Sequence, residues 1–133
     1  MEKTLRSLCW IMGVACVLIG IAHMAIGPGA VPDTGALTAT DDNQNRFFGA
    51  IFAGYGLAWI WAARRTPLPG NAVRWLAATM FVGGLARLFS VAAHGWPHGF
   101  VIGLTVLELV LPPVYFWLAR GVEARPVSAA APA

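Results

Sequence analysis

The sequence predicts an all-α membrane protein in which four transmembrane helices form an up-down bundle with both termini in the cytoplasm. The 133 residues are 58% hydrophobic and only 11% charged, whereas soluble domains average about 25% charged residues. Four long apolar segments alternate with short polar connections. The basic residues gather at one set of these connections, which indicates an orientation. The length suits a single integral membrane domain over residues 1–133.

The first helix is predicted over residues 8–26, after the charged lead M-E-K-T-L-R-S. Its apolar run is long enough to cross a bilayer. A signal peptide is the alternative, but the run is longer than a usual signal core and no clear A-x-A cleavage site follows. Small residues recur at steps of three and four with one histidine, a pattern typical of closely packed membrane helices. This face comprises Cys9, Gly13, Cys16, Gly20, His23 and Gly27.

The second helix is predicted over residues 41–63. Pro28 and Pro32 prevent the first helix from continuing. Thr40, followed by two aspartates, is typical of a helix start, with a hydroxyl N-cap and acidic residues in the first turn. One face of this helix again combines small residues with a polar one, namely Arg46, Gly49, Ala53 and Gly56.

The third and fourth helices are predicted over residues 72–93 and 99–119, joined by the connection H-G-W-P-H. Each carries one ionisable residue on a helical stripe. The third helix presents Gly83, Arg87, Ser90 and His94, and the fourth presents Val101, Thr105, Glu108, Pro112 and Tyr115. Residues 120–133 end in a run rich in Ala and Pro, and we predict a flexible tail there.

The charges predict how the bundle lies in the membrane. Placing both termini and the 64–71 turn on one side gathers seven of the nine basic residues there: Lys3, Arg6, Arg64, Arg65, Arg74, Arg120 and Arg125. The positive-inside rule puts this side in the cytoplasm. Four spans with short connections then form an up-down bundle in the inner (cytoplasmic) membrane.

Arg87 and Glu108 lie inside apolar helices, where charge is costly and commonly marks a functional site. At a rise of ~1.5 Å per residue, they lie roughly 10 Å and 15 Å below the connection between their helices, so we expect them to pair. His23 and Arg46 lie near the same outer ends of the first two helices. The sequence therefore predicts a polar cluster in the outer half of the membrane. Its candidate ligand-binding residues are Arg87, Glu108, Arg46, His23, Ser90, Asn45, Thr105 and His94.

These candidate residues also have purely structural interpretations. Arg87 and Glu108 are also consistent with a purely structural pair, because removing one partner of a buried pair typically costs ~3–5 kcal/mol. The hydroxyls of Thr105 and Ser90 can bond back to their own helix. The histidines, with Asp41 and Asp42, match no strong zinc signature. No metal and no other cofactor is predicted.

Four short motifs resemble a family of small bacterial membrane proteins. They are N-R-F-F-G from Asn45, G-G-L-A-R-L-F-S from Gly83, H-G-W-P from His94 and E-L at Glu108. The family is catalogued as a domain of unknown function and is similar in shape to DoxX-like four-helix proteins. The resemblance spans roughly residues 8–120 and implies a compact four-helix membrane protein. It supplies no established activity, so no catalytic role is carried over. Its signature positions here are Asn45, Arg46, Arg87, Ser90, Gly95, Pro97 and Glu108.

The function that this pattern favours is a non-enzymatic bundle that binds a small amphiphilic ligand, a membrane lipid, or a partner membrane protein or second copy of itself. One alternative is an intramembrane enzyme in which Glu108 and a histidine move protons on a lipid or sterol-like substrate. Another is a small proton-coupled transporter, although residues 1–65 and 66–133 show no inverted repeat. The basic residues form no nucleic-acid patch, so no nucleic-acid partner is predicted.

Overall fold

A computed structural model describes residues 1–32, 34–36 and 38–123. Within these ranges the chain is all-α, with four helices, one short 3₁₀ turn and no strand. The elements are α1 (Glu2–Ile26), the 3₁₀ turn (Gly27–Ala30), α2 (Ala39–Arg64), α3 (Gly70–His94) and α4 (Gly99–Glu123). The all-α class and the order of four helices are as predicted. Residues 124–133, which hold most of the predicted flexible tail, lie outside the described residues.

Three of the described helices are long and apolar enough to cross a membrane: α1 with its 3₁₀ turn (Glu2–Ala30), α3 (Gly70–His94) and α4 (Gly99–Val122). The fourth predicted span, α2, does not meet this measure, because it opens with the polar run A-T-D-D-N-Q-N-R. Large apolar side chains face outward along the molecule, including Phe89, Trp96 and Val106, each more than half exposed. Such surfaces indicate a multi-pass membrane protein.

Two helix ends differ from their predicted positions by four residues or more. α1 begins at Glu2 and not at residue 8, because the charged lead is itself helical and Arg6 pairs with Glu2 one turn earlier at 2.8 Å. α4 continues to Glu123, so the helix includes residues 120–123 that we predicted to be part of the tail.

The start of α2 is a capping box built on Thr38. The Asp41 amide donates to Thr38 Oγ1 at 3.2 Å, and the Thr38 amide donates to Asp41 Oδ2 at 2.9 Å. Two amides at the helix start are thereby satisfied. The predicted N-cap, Thr40, is wrong by two residues, and it lies inside the first turn.

α1 and α2 form a hairpin through a seam of glycines that face one another. A Cβ added at Gly20 would lie 2.5 Å from Ala53 N and 2.6 Å from Gly49 O. Two turns away, a Cβ at Gly56 would lie 2.7 Å from Gly13 O. The backbones therefore touch along the hairpin, as small-residue seams permit in membrane helices.

An arginine at the start of α1 caps the end of α2. Arg6 Nη1 donates to Ala63 O and, at 2.8 Å, to Arg65 O. The last carbonyls of a helix have no partner within it and carry partial negative charge, so a guanidinium is well suited to this place. Arg6 thus ties the two helices together at the end of the hairpin that carries the chain terminus.

The packed core lies at one end of the molecule, which we call the closed end. It comprises the start of α1, the end of α2, the start of α3 and the end of α4. Its buried residues come from all four helices and the 65–69 connection: Leu5, Cys9, Trp59, Ala62, Ala63, Leu68, Val73, Ala77, Tyr115, Leu118 and Ala119.

Two tyrosines connect the α1–α2 hairpin to the α3–α4 hairpin near this core. The Tyr115 hydroxyl donates to Leu8 O at 3.0 Å, and the Tyr55 hydroxyl donates to Leu76 O at 2.6 Å. Tyr115 also packs on Trp59, with ring centroids 4.7 Å apart. The described core does not reach the opposite end, which carries the 27–38 and 95–98 connections. We call this the open end, and the two hairpins enclose a cavity there.

Candidate functional site

A cavity of about 340 Å³ lies between the two hairpins toward the open end. Every helix and the 3₁₀ turn contribute to it. Its wall is mostly apolar, and its largest apolar side chains are Ile19, Phe48, Phe52, Phe100 and Leu104. Four polar side chains also line it, namely His23, Asn45, Arg87 and Glu108. One comes from each helix, so the tertiary fold, and no local motif, assembles this group.

The polar contact on the α3–α4 hairpin is an ion pair. Arg87 Nε donates to Glu108 Oε2 at 2.7 Å. The pair forms because Gly84, one turn before Arg87, lets α4 approach closely: a Cβ there would lie 3.1 Å from Glu108 Cβ. The side chains of Arg87 and Glu108 are 38% and 18% exposed. The pair is therefore partly open to the cavity.

The polar contact on the α1–α2 hairpin joins His23 to Asn45. His23 Nδ1 donates to Asn45 Oδ1 at 2.7 Å. A glycine again makes the approach possible, since a Cβ at Gly49 would lie 2.8 Å from His23 Cβ. With Nδ1 carrying the proton, the neutral ring has its other nitrogen as an acceptor.

Arg46 lies at the open end, but it does not line the cavity. Its Nε donates to Asp42 Oδ2 at 2.8 Å, and its Nη1 donates to Met24 O at 2.6 Å and Ala25 O at 3.2 Å. It therefore caps α1, as Arg6 caps α2. The Arg46 guanidinium lowers the pKa of the Asp42 carboxyl below its ordinary value. We predicted Arg46 as a ligand-binding residue of the polar cluster. The Arg46 guanidinium instead donates to the last carbonyls of α1, which have no partner within the helix.

Three further predicted site residues lie away from the cavity lining. Ser90 and His94 are exposed on the last turns of α3, beyond Arg87. Thr105 is buried, and its hydroxyl donates to Val101 O at 2.9 Å within α4. That contact is the local back-bonding that competes with a ligand role for a helical threonine. The structure thus brings together four of the eight candidates and separates the others.

The apolar walls were not among the predicted site residues. Phe48 and Phe52 share a helical face with Asn45, at spacings of three and four residues. That spacing was the available signal for two of the walls. No sequence signal identified Phe100 and Leu104, because the same apolar residue types occur on a membrane helix whether they face lipid or a cavity.

Among the described residues, no three His, Cys, Asp or Glu side chains come together in a way that could hold a metal ion. Cys9 and Cys16 are both buried free thiols on the α1 seam. The chemistry that the cavity offers is therefore hydrogen bonding and charge pairing beside apolar surface.

Comparison with known protein families matches residues 4–119 to the family model described as Domain of unknown function (DUF4345). The matched range includes all four polar side chains of the cavity and every buried residue of the closed-end core. No curated protein and no solved structure matches the chain.

Proposed function

The chain belongs to the family described as Domain of unknown function (DUF4345), and we propose that it is a membrane protein that binds one small amphiphilic molecule in the cavity between its hairpins. One observation carries this proposal: two polar pairs, one from each hairpin, line a cavity whose remaining wall is apolar. Ligand sites are commonly apolar pockets with a few convergent polar groups.

The lining supports an occupant with two chemically different parts. Phe48, Phe52 and Phe100 offer aromatic surface for an apolar tail. Arg87 and Glu108 offer a polar contact in a setting with little water, where a hydrogen bond to a charged group is stronger than in water. An amphiphile can pack on the apolar wall and hydrogen-bond to the polar pairs. A purely apolar molecule would make no hydrogen bond to the polar atoms that the pairs leave available.

The closed end supports binding over transport. A proton-coupled transport path to Glu108 needs access from both sides of the membrane. Leu5, Trp59 and Tyr115 are fully or almost fully buried in the closed-end core, on one side of the cavity. Packing of this density leaves the cavity approachable from the open end and from the lipid between the hairpins.

We also propose that α2 is the fourth span and that the closed end faces the cytoplasm of a cell with an inner membrane. The glycine contacts run along both helices, from Gly13 with Gly56 to Gly20 with Gly49. α2 therefore follows α1 through its apolar length. The positive-inside rule orients the bundle, since the closed end carries Arg6, Arg64, Arg65 and Arg74.

Native mass spectrometry of gently extracted protein tests the binding proposal with a matched pair of variants on α4. Leu104 lines the cavity, whereas Leu107 is 52% exposed and faces outward. We expect wild type and Leu107→Trp to retain one amphiphile per chain, and Leu104→Trp to lose it because the larger ring occupies the cavity. Equal retention by the two variants, or none by wild type, would show that the cavity is not the binding site.

A further inference from the structure

We infer that the head group of this ligand is electrically neutral and carries both hydrogen-bond donors and acceptors, as a glycerol or another hydroxyl-bearing head does. This inference rests on the proposed function and adds the chemical class of the ligand. It follows from two properties of the cavity: which polar atoms have no partner among the described residues, and the net charge of the groups that face the ligand.

The cavity has unpartnered donors. Arg87 uses only Nε in its contact with Glu108, so its two Nη atoms have no partner among the described residues. Asn45 uses Oδ1 toward His23, and its Nδ2 amide has none either. These nitrogens all carry N–H groups and would contact oxygen atoms of a ligand.

The cavity also has unpartnered acceptors. Glu108 uses Oε2 toward Arg87, and its Oε1 has no partner within the described chain. Because Asn45 Oδ1 can only accept, the neutral form of His23 carries its proton on Nδ1, and its Nε2 is then an acceptor with no partner within the described chain. A ligand that only accepts hydrogen bonds would leave these two atoms unsatisfied, and a buried acceptor without a donor is costly.

Charge then selects among the remaining head groups. Arg87 and Glu108 neutralise each other, Asn45 is uncharged, and the neutral form of the His23 ring adds no charge. A carboxylate or an ammonium head would add one unpaired charge to a cavity with apolar walls, which is unfavourable because the charge loses its hydration. A neutral hydroxyl-bearing head adds none and can both donate and accept.

The cavity volume favours a ligand with one chain. About 340 Å³ is at the lower end of the range for ligand pockets, roughly 300–1,000 Å³. A glycerol head and the first part of one chain fill such a space, and the remainder of the chain would extend into the surrounding lipid. A two-chain phospholipid would place an anionic phosphate and a second chain in the same volume.

Four probes that share an eighteen-carbon mono-unsaturated chain test the inference on the purified, lipid-stripped full-length protein. Monoolein donates and accepts, methyl oleate only accepts, oleate is an anion and oleylamine is a cation. We expect monoolein to have the lowest Kd, by about tenfold or more over each of the others, since each of these leaves an unpaired group. Titration with readout by native mass spectrometry gives the four constants.

Glu108→Gln provides a charge test at the same site. The substitution leaves Arg87 without its counter-charge, so we expect the variant to bind oleate about tenfold more tightly than wild type does. Leu107→Trp, whose substitution faces outward, should keep the wild-type order of the four probes. Both proteins are compared at the same detergent concentration.

The outcomes separate this inference from the proposed function. If wild type binds oleate or oleylamine more tightly than monoolein, or binds methyl oleate equally well, the head-group inference is overturned and binding in the cavity still stands. If no probe binds wild type more tightly than Leu104→Trp, the proposed function fails with it. Because the wild-type order decides the matter alone, the inference stays testable even if Glu108→Gln does not fold.

Discussion

Arg87 and Glu108 meet at the surface of a cavity, and this setting determines what their contact contributes. Each keeps part of its side chain exposed, so the desolvation cost is lower than for a fully buried pair, and so is the penalty for breaking the pair. The contact can therefore fix the position of both side chains while leaving some of their polar atoms available. Structural and binding roles are compatible here.

A double-mutant cycle measures that contact. We expect Arg87→Leu and Glu108→Gln each to lower the free energy of unfolding by about 1–3 kcal/mol, and the double variant to lose less than the sum, because neither charge is then left unpaired. Unfolding in mixed detergent, followed by tryptophan fluorescence, provides the values. Ser90→Ala, on the same helix and exposed, should change little. Additive losses would contradict a direct energetic coupling between the two residues.

Residues whose type is costly in a membrane could be placed from the sequence, whereas residues whose role depends on the geometry of the fold could not. Arg87 and Glu108 could be paired in advance because both lie inside apolar helices at similar depths. Arg46 lies at a helix end, where a guanidinium can reach a pocket or turn back to the carbonyls of a neighbouring helix. Only the backbone positions of Met24 and Ala25 show that it turns back.

At the level of the helix, the sequence predicted the start of α2 to within one turn but did not identify the capping residue. Two threonines precede the acidic turn of α2, and we predicted Thr40 as the N-cap. A capping box pairs the cap with an acidic or amide side chain three residues later. Asp41 stands three residues after Thr38 and Asn43 three residues after Thr40, so the sequence offers a box at either threonine, and the structure forms the one at Thr38. The apolar pattern does not distinguish the two threonines, because it begins several residues later.

The pairing of α1 with α2 was foreseeable from small residues at helical spacing, and it yields a prediction with a matched control. Gly20→Ala should lower the free energy of unfolding by about 1–3 kcal/mol, because the added methyl would lie 2.5 Å from Ala53 N and the backbones must separate. Gly54→Ala, also within a helix, meets no atom within 4 Å. It should be neutral or slightly stabilising.

Thermal unfolding in detergent compares the two glycine variants directly. Loss of stability in Gly20→Ala alone would support a seam maintained by backbone contact. Equal thermal stability of the two variants would mean that α1 and α2 do not approach as closely as described. The contact between His23 and Asn45 would then be unsupported, because it depends on the same close approach of α1 and α2.

At the scale of the whole molecule, the side of the membrane occupied by each connection tests the proposed four spans. Thr34 and Thr66 are both exposed, one in the 27–38 connection and one in the 65–69 connection. If α2 crosses the membrane, a membrane-impermeant maleimide added to intact cells should label Thr34→Cys and should label Thr66→Cys only after lysis. Labelling of both from the same side would place α2 outside the membrane. Cys9 and Cys16 are buried and provide little background.

The cavity itself could not be predicted as a shape. The four polar residues were candidates. Their grouping depends on how the two hairpins are joined, which in the described part of the chain is by a packed core at the closed end, around Trp59 and Tyr115. That asymmetry arises from packing between helices that are distant in sequence. Hydropathy does not predict this asymmetry, because an outward-facing leucine such as Leu107 and a cavity-facing leucine such as Leu104 have the same hydropathy.

Photo-crosslinking in intact membranes tests the central claim, which is that the cavity holds an amphiphile distinct from bulk lipid. A benzophenone amino acid would replace Phe52, which lines the cavity, or Phe47, which is 57% exposed on the same helix. We predict one dominant adduct of defined mass at position 52, and at position 47 a spread of adducts that matches the composition of the membrane. The same spread at both positions would contradict the claim.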